Sequence, residues 1–287
     1  MNHNKKNSFA LLGASKTGIS ISYHLSKKGY IPAFCWNRSS ERLKNALKYI
    51  DFKRYSTDLK NLPQNIDFMI ISISDDAIES LVQRLCKLHY DLNDIIIFHT
   101  SGAIGSKALS PLKKIGAKTG AFHPFISIPD IETGISLIPE TLFTCEGDIA
   151  NWLKNLAEKI GKIGIIVTEK QKLILHTVAV FLLNYTVGLA TEIKKLMSTN
   201  QLEIENFRED FNKIFSNKFD SSITNNFKKE ISGPILRGDY NIIKKHIEIL
   251  EEYPELKSLY LLSGKIICQK LIENKMPMSE NIKKIFM

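Results

Sequence analysis

Over the first 168 residues, short β-branched apolar runs alternate with stretches whose apolar positions recur every three or four residues. The runs fall at 8–12 (SFALL), 31–36 (IPAFCW), 67–73 (DFMIISI), 94–98 (DIIIF) and 117–122 (AKTGAF). Between them, 17–28, 39–48 and 76–88 carry helical spacing. Strands alternating with helices imply right-handed crossovers and a parallel sheet. Two further runs, 141–145 and 163–167, flank a helical stretch at 149–160 and extend that sheet. Beyond residue 168 only helical periodicity remains, through 169–198, 203–217, 221–230, 239–250 and 254–273. Gly233-Pro234 and Tyr253-Pro254 punctuate these helices, and His89 and His246 fall on ordinary helix faces. The pattern predicts a Rossmann-type α/β domain with a doubly wound parallel sheet over 1–168, then an all-helical domain over 169–287.

The first strand runs into FALLGASKTG. Gly13 and Gly18 stand where a dinucleotide loop needs its first and third glycines, one for the tight turn and one for close helix–strand packing. Ser15 occupies the second-glycine position, where a hydroxyl can donate to a phosphate. Residues Gly13, Ala14, Ser15, Lys16, Thr17 and Gly18 would hold a pyrophosphate at a helix N-terminus; the competing reading is a tight turn with no ligand. The second strand ends in WNRSS, with no acid before Glu41. An acid there would accept from a ribose 2′-hydroxyl, whereas arginine pairs with a 2′-phosphate. Asn37, Arg38 and Ser39 therefore favour NADP(H) over NAD(H), against the alternative of an ordinary surface arginine.

Polar residues also close the later strands: Ser72, Ser74, Asp75 and Asp76, then His99, Thr100, Ser101 and Gly102, then His123 and Pro124. Ligands in open parallel sheets sit beyond the carboxyl ends of the strands, so these sets would line one crevice. Ser72, Ser74, Thr100 and Ser101 would border the ribose and nicotinamide.

Composition narrows the class. The chain has 287 residues, 44% hydrophobic and 24% charged, as in a soluble globular protein. A net charge of +9 raises nucleic acid as a partner, but the lysines are scattered and form no block. The charge favours anionic ligands instead. Four dispersed cysteines give neither a disulfide framework nor a metal spacing, and no metal site is expected. The start, MNHNKKNSFALLGA, looks like a signal peptide, but Lys16 cuts its apolar stretch short. Residues 173–190 approach membrane-spanning length yet contain His176, Thr177, Asn184 and Thr186, which fits a buried core or interface helix better. The expectation is a cytoplasmic protein with no membrane and no nucleic-acid partner.

GASKTG, WNRSS, ISISDDAI, HTSGA, GAFHPF, KLILHTVAVFLLNY and SGPILRGD together resemble the Rossmann-like proteins that carry a DUF2520 domain. That family is similar to a branch of the 6-phosphogluconate dehydrogenase C-terminal-like superfamily. The resemblance implies an NADP-binding Rossmann domain, a helical domain that forms a homodimer, and a site where a small substrate is reduced. Superfamily reductases commonly place Lys-x-x-x-Asn on the first long helix of the second domain. Here His176 stands at that lysine and Val180 at that asparagine, with Asn184 one turn later and Lys172 one turn earlier. On this reading His176 donates the proton, Asn184 orients the accepting atom, and Arg237 or His123 binds an anionic substrate. The competing readings are a core histidine, a helix-packing asparagine and a salt bridge from Arg237 to Asp239. A non-catalytic NADP(H) sensor or scaffold dimer is the alternative function, favoured by the missing lysine.

Overall fold

The computed structural model describes residues 7–88 and 90–287; residues 1–6, where the signal-like segment begins, and His89 lie outside the described residues. Contacts divide the chain into two compact units, Met1–Leu183 and Asn184–Met287.

In the first unit each apolar run becomes a strand: β1 (Ser8–Leu12), β2 (Ile31–Trp36), β4 (Phe68–Ile71), β5 (Ile96–His99), β6 (Lys118–Pro124), β7 (Leu142–Gly147) and β8 (Ile163–Ile166). A further strand, β3 (Arg54–Ser56), is too short and too exposed to leave a hydrophobic signature. The sheet runs β3-β2-β1-β4-β5-β6-β7-β8, and its first six strands follow the dinucleotide-fold order. All pairings are parallel except β6 with β7, which is antiparallel. The parallel sheet read from the sequence holds apart from that one pairing. Its reason is the connection through α5 (Ile131–Leu137), which stays at the carboxyl end of the sheet. There it docks on α1 (Lys16–Lys27), with Ser20 Oγ donating to Ile131 O at 3.5 Å.

Strand alternation then sorts side chains into two cores. On one face Phe9, Phe68, Phe98, Phe122 and Phe143 form an aromatic row across β1, β4, β5, β6 and β7, with neighbouring centroids 4.4–6.2 Å apart. α1 and α6 (Ala150–Ile160) cover it, and Trp152 packs edge-on against Phe68. On the other face Leu12, Trp36, Met69, Ile71 and Ile97 pack against α3 (Asp75–Cys86) and α4 (Ser110–Lys114). Caps fix where helices begin. Ser15 caps α1, Ser39 caps α2 (Ser40–Leu47), and Thr168 with Gln171 forms a capping box on α7 (Glu169–Ala179).

A π-helical segment, Val180–Tyr185, follows α7 and crosses the boundary between the units. The second unit continues with α8 (Thr186–Thr199), α9 (Arg208–Thr224), α10 (Phe227–Glu230), α11 (Pro234–Arg237), α12 (Tyr240–Ile249), α13 (Pro254–Glu273) and α14 (Glu280–Phe286). α9 runs on to Thr224, so the break expected between 217 and 221 falls instead at Asn225 and Asn226, where Asn226 caps the short α10. Ile235, Ile243, Cys268, Leu271, Ile282 and Phe286 form this unit's core. Little of the apolar surface on Glu169–Thr199 enters a core, for only 6% of its most apolar window is buried. The buried-core reading of 173–190 is thereby overturned.

Gly264 on α13 is the most closely packed glycine of the second unit: a Cβ there would lie 2.1 Å from Phe286 Cε1. Gly264→Ala gains about 1 kcal/mol of helix propensity but forces the buried ring aside. We expect a net loss of about 1–2 kcal/mol, as for overpacked cores. Urea unfolding followed by circular dichroism checks it, with Phe286→Leu added to Gly264→Ala regaining part of the loss.

Candidate functional site

The site grows from the turn after β1. Gly13 has φ +104°, and a Cβ on it would lie 2.2 Å from Ile73 Cγ2 and 2.4 Å from Ser72 O. A Cβ on Gly18 would lie 2.6 Å from Ser72 Cβ. Both glycines are required because the ends of β1 and β4 approach so closely. Ser15 spends its hydroxyl inside the protein: it accepts from Gly18 N at 3.0 Å and sits 2.6 Å from Ser72 Oγ. Ser72 Oγ in turn lies 2.7 Å from Thr100 Oγ1. A chain of three hydroxyls thus links the glycine loop to the end of β5.

Thr100 continues the connection through its carbonyl, which accepts from His123 Nδ1 at 3.0 Å. A carbonyl can only accept, so Nδ1 carries the proton and His123 Nε2 is left bare. The next contact is Gly102. A Cβ there would fall 2.7 Å from His123 Nε2 and 2.6 Å from His176 Nδ1, so bare backbone fills the space between the rings. The His123 and His176 centroids are 6.1 Å apart at 76°. His176 Nδ1 is buried with no hydrogen-bond partner. Ser101 makes the turn itself, its Oγ accepting from Ala103 N and Ile104 N at 3.2 and 3.0 Å.

Helix α7 docks on this loop along one face. Glu169 packs on Gly105 and bridges Lys107 at 2.8 Å, Lys172 Nζ donates to Ile104 O, and His176 meets Gly102. Positions i, i+3 and i+7 share a helix face, so the three contacts form one seam. Below it, Glu146 accepts from Ser106 N and Oγ at 2.6 and 2.8 Å.

Burial dominates the electrostatics. It pushes His99 down to about 3 and His123 down to about 4, with the nearby Lys172 cation adding to both. The hydrogen bonds of His99 Nε2 to Gly105 O, at 3.2 Å, and of His123 to Thr100 O work in the opposite direction but do not prevail. Burial likewise lowers Lys172 to about 8, against the pull of Glu146, Asp75 and Glu169.

The first unit therefore brings together Gly13, Ser15, Gly18, Ser72, Thr100, Ser101, His123 and His176. Ala14, Ser15, Lys16 and Thr17 also line a cleft of about 420 Å³ with Arg42, Asn45, Ile128 and Ile131. Asn37 is buried and accepts from Ser39 N at 2.9 Å, while Ser39 caps α2 by accepting from Arg42 N at 3.3 Å. Arg38 is exposed, and Ser74 is an exposed N-cap with no side-chain capping bond. Asn184 and Arg237 belong to the second unit. There Arg237 pairs with Asp239 at 2.8 Å through both Nε and an η nitrogen. Sequence reasoning passed over Arg42, though its place three residues after the cap Ser39 turns it toward the glycine loop. It also ranked Lys172 below His176, because burial of a lysine leaves no mark in the sequence. Among the described residues no group of three or more His, Cys, Asp or Glu side chains could hold a metal ion.

Residues 3–124 match the Rossmann-like domain and residues 141–267 match the domain of unknown function DUF2520, so the chain carries both. No curated protein matches it. Among solved structures, it is similar to a candidate NADP oxidoreductase of Bacteroides fragilis (21% identity, TM-score 0.74), covering 91% of this chain and 98% of that one. An imine reductase of Myxococcus stipitatus in complex with NADP⁺ (12%, 0.72) covers 97% and 99%. A reductive aminase of Aspergillus terreus in complex with NADPH and ethyl-5-oxohexanoate (11%, 0.70) covers 99% and 100%. At these identities the likeness establishes the fold.

The buried histidines give a signed pH dependence. Their folded values lie below the ordinary 6.5, so on acidification the unfolded chain takes up their protons first. Their contribution is intact above about pH 6.5 and is lost as pH falls toward 4, by up to about 1.4 kcal/mol per pH unit for each. Urea midpoints at pH 7.5 and 5.0 should show the fall, and His123→Gln should remove part of it.

Proposed function

We propose that this Rossmann-like and DUF2520 chain is an NADP(H)-dependent oxidoreductase that reduces a C=O or C=N bond of a small anionic substrate. The observation that carries the reading is the unbroken contact path from the glycine loop to the His123–His176 pair, which puts a nucleotide turn and a proton-handling group on one sheet edge. The cradle fits a dinucleotide: no Cβ is tolerated at Gly13 or Gly18, and Lys16 and Arg42 give the adjoining cleft its positive charge. The bound complexes of the imine reductase and reductive aminase folds support the same cofactor.

The first turn of α1 turns its N–H groups toward the pyrophosphate, and Arg38 and Arg42 take the 2′-phosphate. When bound, the nicotinamide supplies the hydride. Thr100 holds His123 in the Nδ1–H tautomer, so its bare Nε2 accepts a hydrogen bond on the site side. His176 donates the accompanying proton to the substrate. The second reading is a sensor that binds NADP(H) without turnover, favoured by histidine where superfamily reductases carry lysine.

We also propose that the helical unit closes a homodimer. Ile214, Phe215 and Ile223 on α9 are 56–68% exposed, and none of α9 is buried in the chain itself. A second copy covering this face accounts for so much apolar surface. The free cysteines suit a reducing, cytoplasmic setting.

Calorimetric titration should show NADPH binding more tightly than NADH, with the preference lost in Arg38→Asp/Arg42→Asp. His176→Ala should keep NADPH affinity and lose turnover on keto and imino acids by about 10²–10⁴-fold. NADPH binding with no turnover on any substrate would leave the sensor reading; no nucleotide binding would sink both. Light scattering should give a dimer mass that falls to the monomer in Ile214→Glu/Phe215→Glu.

A further inference from the structure

We propose that Lys172 is a positioning residue of this site: its buried ammonium pins α7 to the loop after β5 and so sets where His176 meets Gly102 and His123. The role assigned to the histidines is that of the proposed function; the role of the lysine rests on its own geometry.

Among the described residues Lys172 is the one buried lysine, only 1% exposed. Burying an ammonium costs several kcal/mol, and a methionine of similar size would fill the space more cheaply. Its hydrogen-bond partner does not repay that cost as a carboxylate would, since Nζ donates to the neutral Ile104 carbonyl. The bond falls in the middle of the seam, between Glu169 on Gly105 and His176 on Gly102. Moving it would shift His176 against the loop by the same amount. Burial must be retained for what the charge does at that point.

Several charged or titratable groups face Lys172. His99 comes from β5, His123 from β6, Glu146 from β7, Asp75 from the start of α3, and Glu169 from its own helix. His176 completes the set on the seam. Glu146 is committed to Ser106 and Glu169 to Lys107. On the two histidines the ammonium adds to burial in opposing a second positive charge. Lys172 itself titrates low for a lysine yet stays mostly protonated at neutral pH.

The test compares Lys172→Met and Lys172→Arg with wild type in the full chain. First, histidine Cε1–H resonances are titrated by NMR without ligand, with His123→Gln and His176→Gln assigning the signals. Lys172→Met should raise the His123 midpoint by roughly half a unit or more, and Lys172→Arg should leave it near wild type. Second, wild-type stability should rise between about pH 8 and 10.5, where the unfolded chain still holds a proton that the native lysine has released. Lys172→Met should lack that rise and be no less stable at pH 7. Third, NADPH affinity should be unchanged, while kcat falls about 100-fold in Lys172→Met, the cost of about 1 Å of misplacement, with the acid limb of the pH–rate profile shifted upward. An unmoved His123 midpoint, or equal stability losses in both variants, overturns the proposal. If wild type turns over no substrate the oxidoreductase reading falls, while the first two measurements still decide the role of Lys172.

Discussion

The close approach of the β1 and β4 ends governs much of what lies at this sheet edge. Ser72 sits so near the glycine turn that neither Gly13 nor Gly18 admits a Cβ, and Ile73 closes the remaining gap. That nearness puts Ser72 Oγ within hydrogen-bonding range of both Ser15 and Thr100. A wider spacing would break the hydroxyl chain at its midpoint and separate the glycine loop from the histidines. Ser15, a departure from the glycine pattern, is accommodated because its hydroxyl caps α1 and bonds Ser72, which turns a foreign side chain into part of the scaffold.

Much of the first unit could be read from the sequence because strand alternation and helix spacing are strong signals over its length. The 31–36 strand and the 254–273 helix fall at the bounds the pattern gave. β3 could not be read, since three half-exposed residues carry no periodicity. Nor could the reversal of β7, because direction is decided by where α5 docks on α1 rather than by β7 itself. At the site, the glycines, Thr100, His123 and His176 were legible from their places at strand ends and on a helix face. Lys172 was not, because a lysine carries the same letter whether buried or exposed. Burial here comes from the loop that closes over it, a contact between residues 68 positions apart.

The second unit shows the opposite balance. Its core is a small set around Ile243, Cys268 and Phe286, while α9 shows a row of phenylalanine and isoleucine to the outside. Helical periodicity identified these helices correctly but could not tell an inward stripe from an outward one. The same ambiguity left 173–190 readable as either a core or an interface helix. The chain itself supplies little cover for that apolar stretch.

Both tryptophans of the chain, Trp36 and Trp152, lie in the first unit, each in a different core face of the sheet. Trp152 rests against Phe68 and Phe98, in the aromatic row that crosses five strands. Tryptophan emission therefore observes the sheet and is blind to the helical unit, whose melting registers in far-ultraviolet ellipticity. If the two units melt separately, the optical channels would part company, and one emission curve would describe less than two-thirds of the polypeptide.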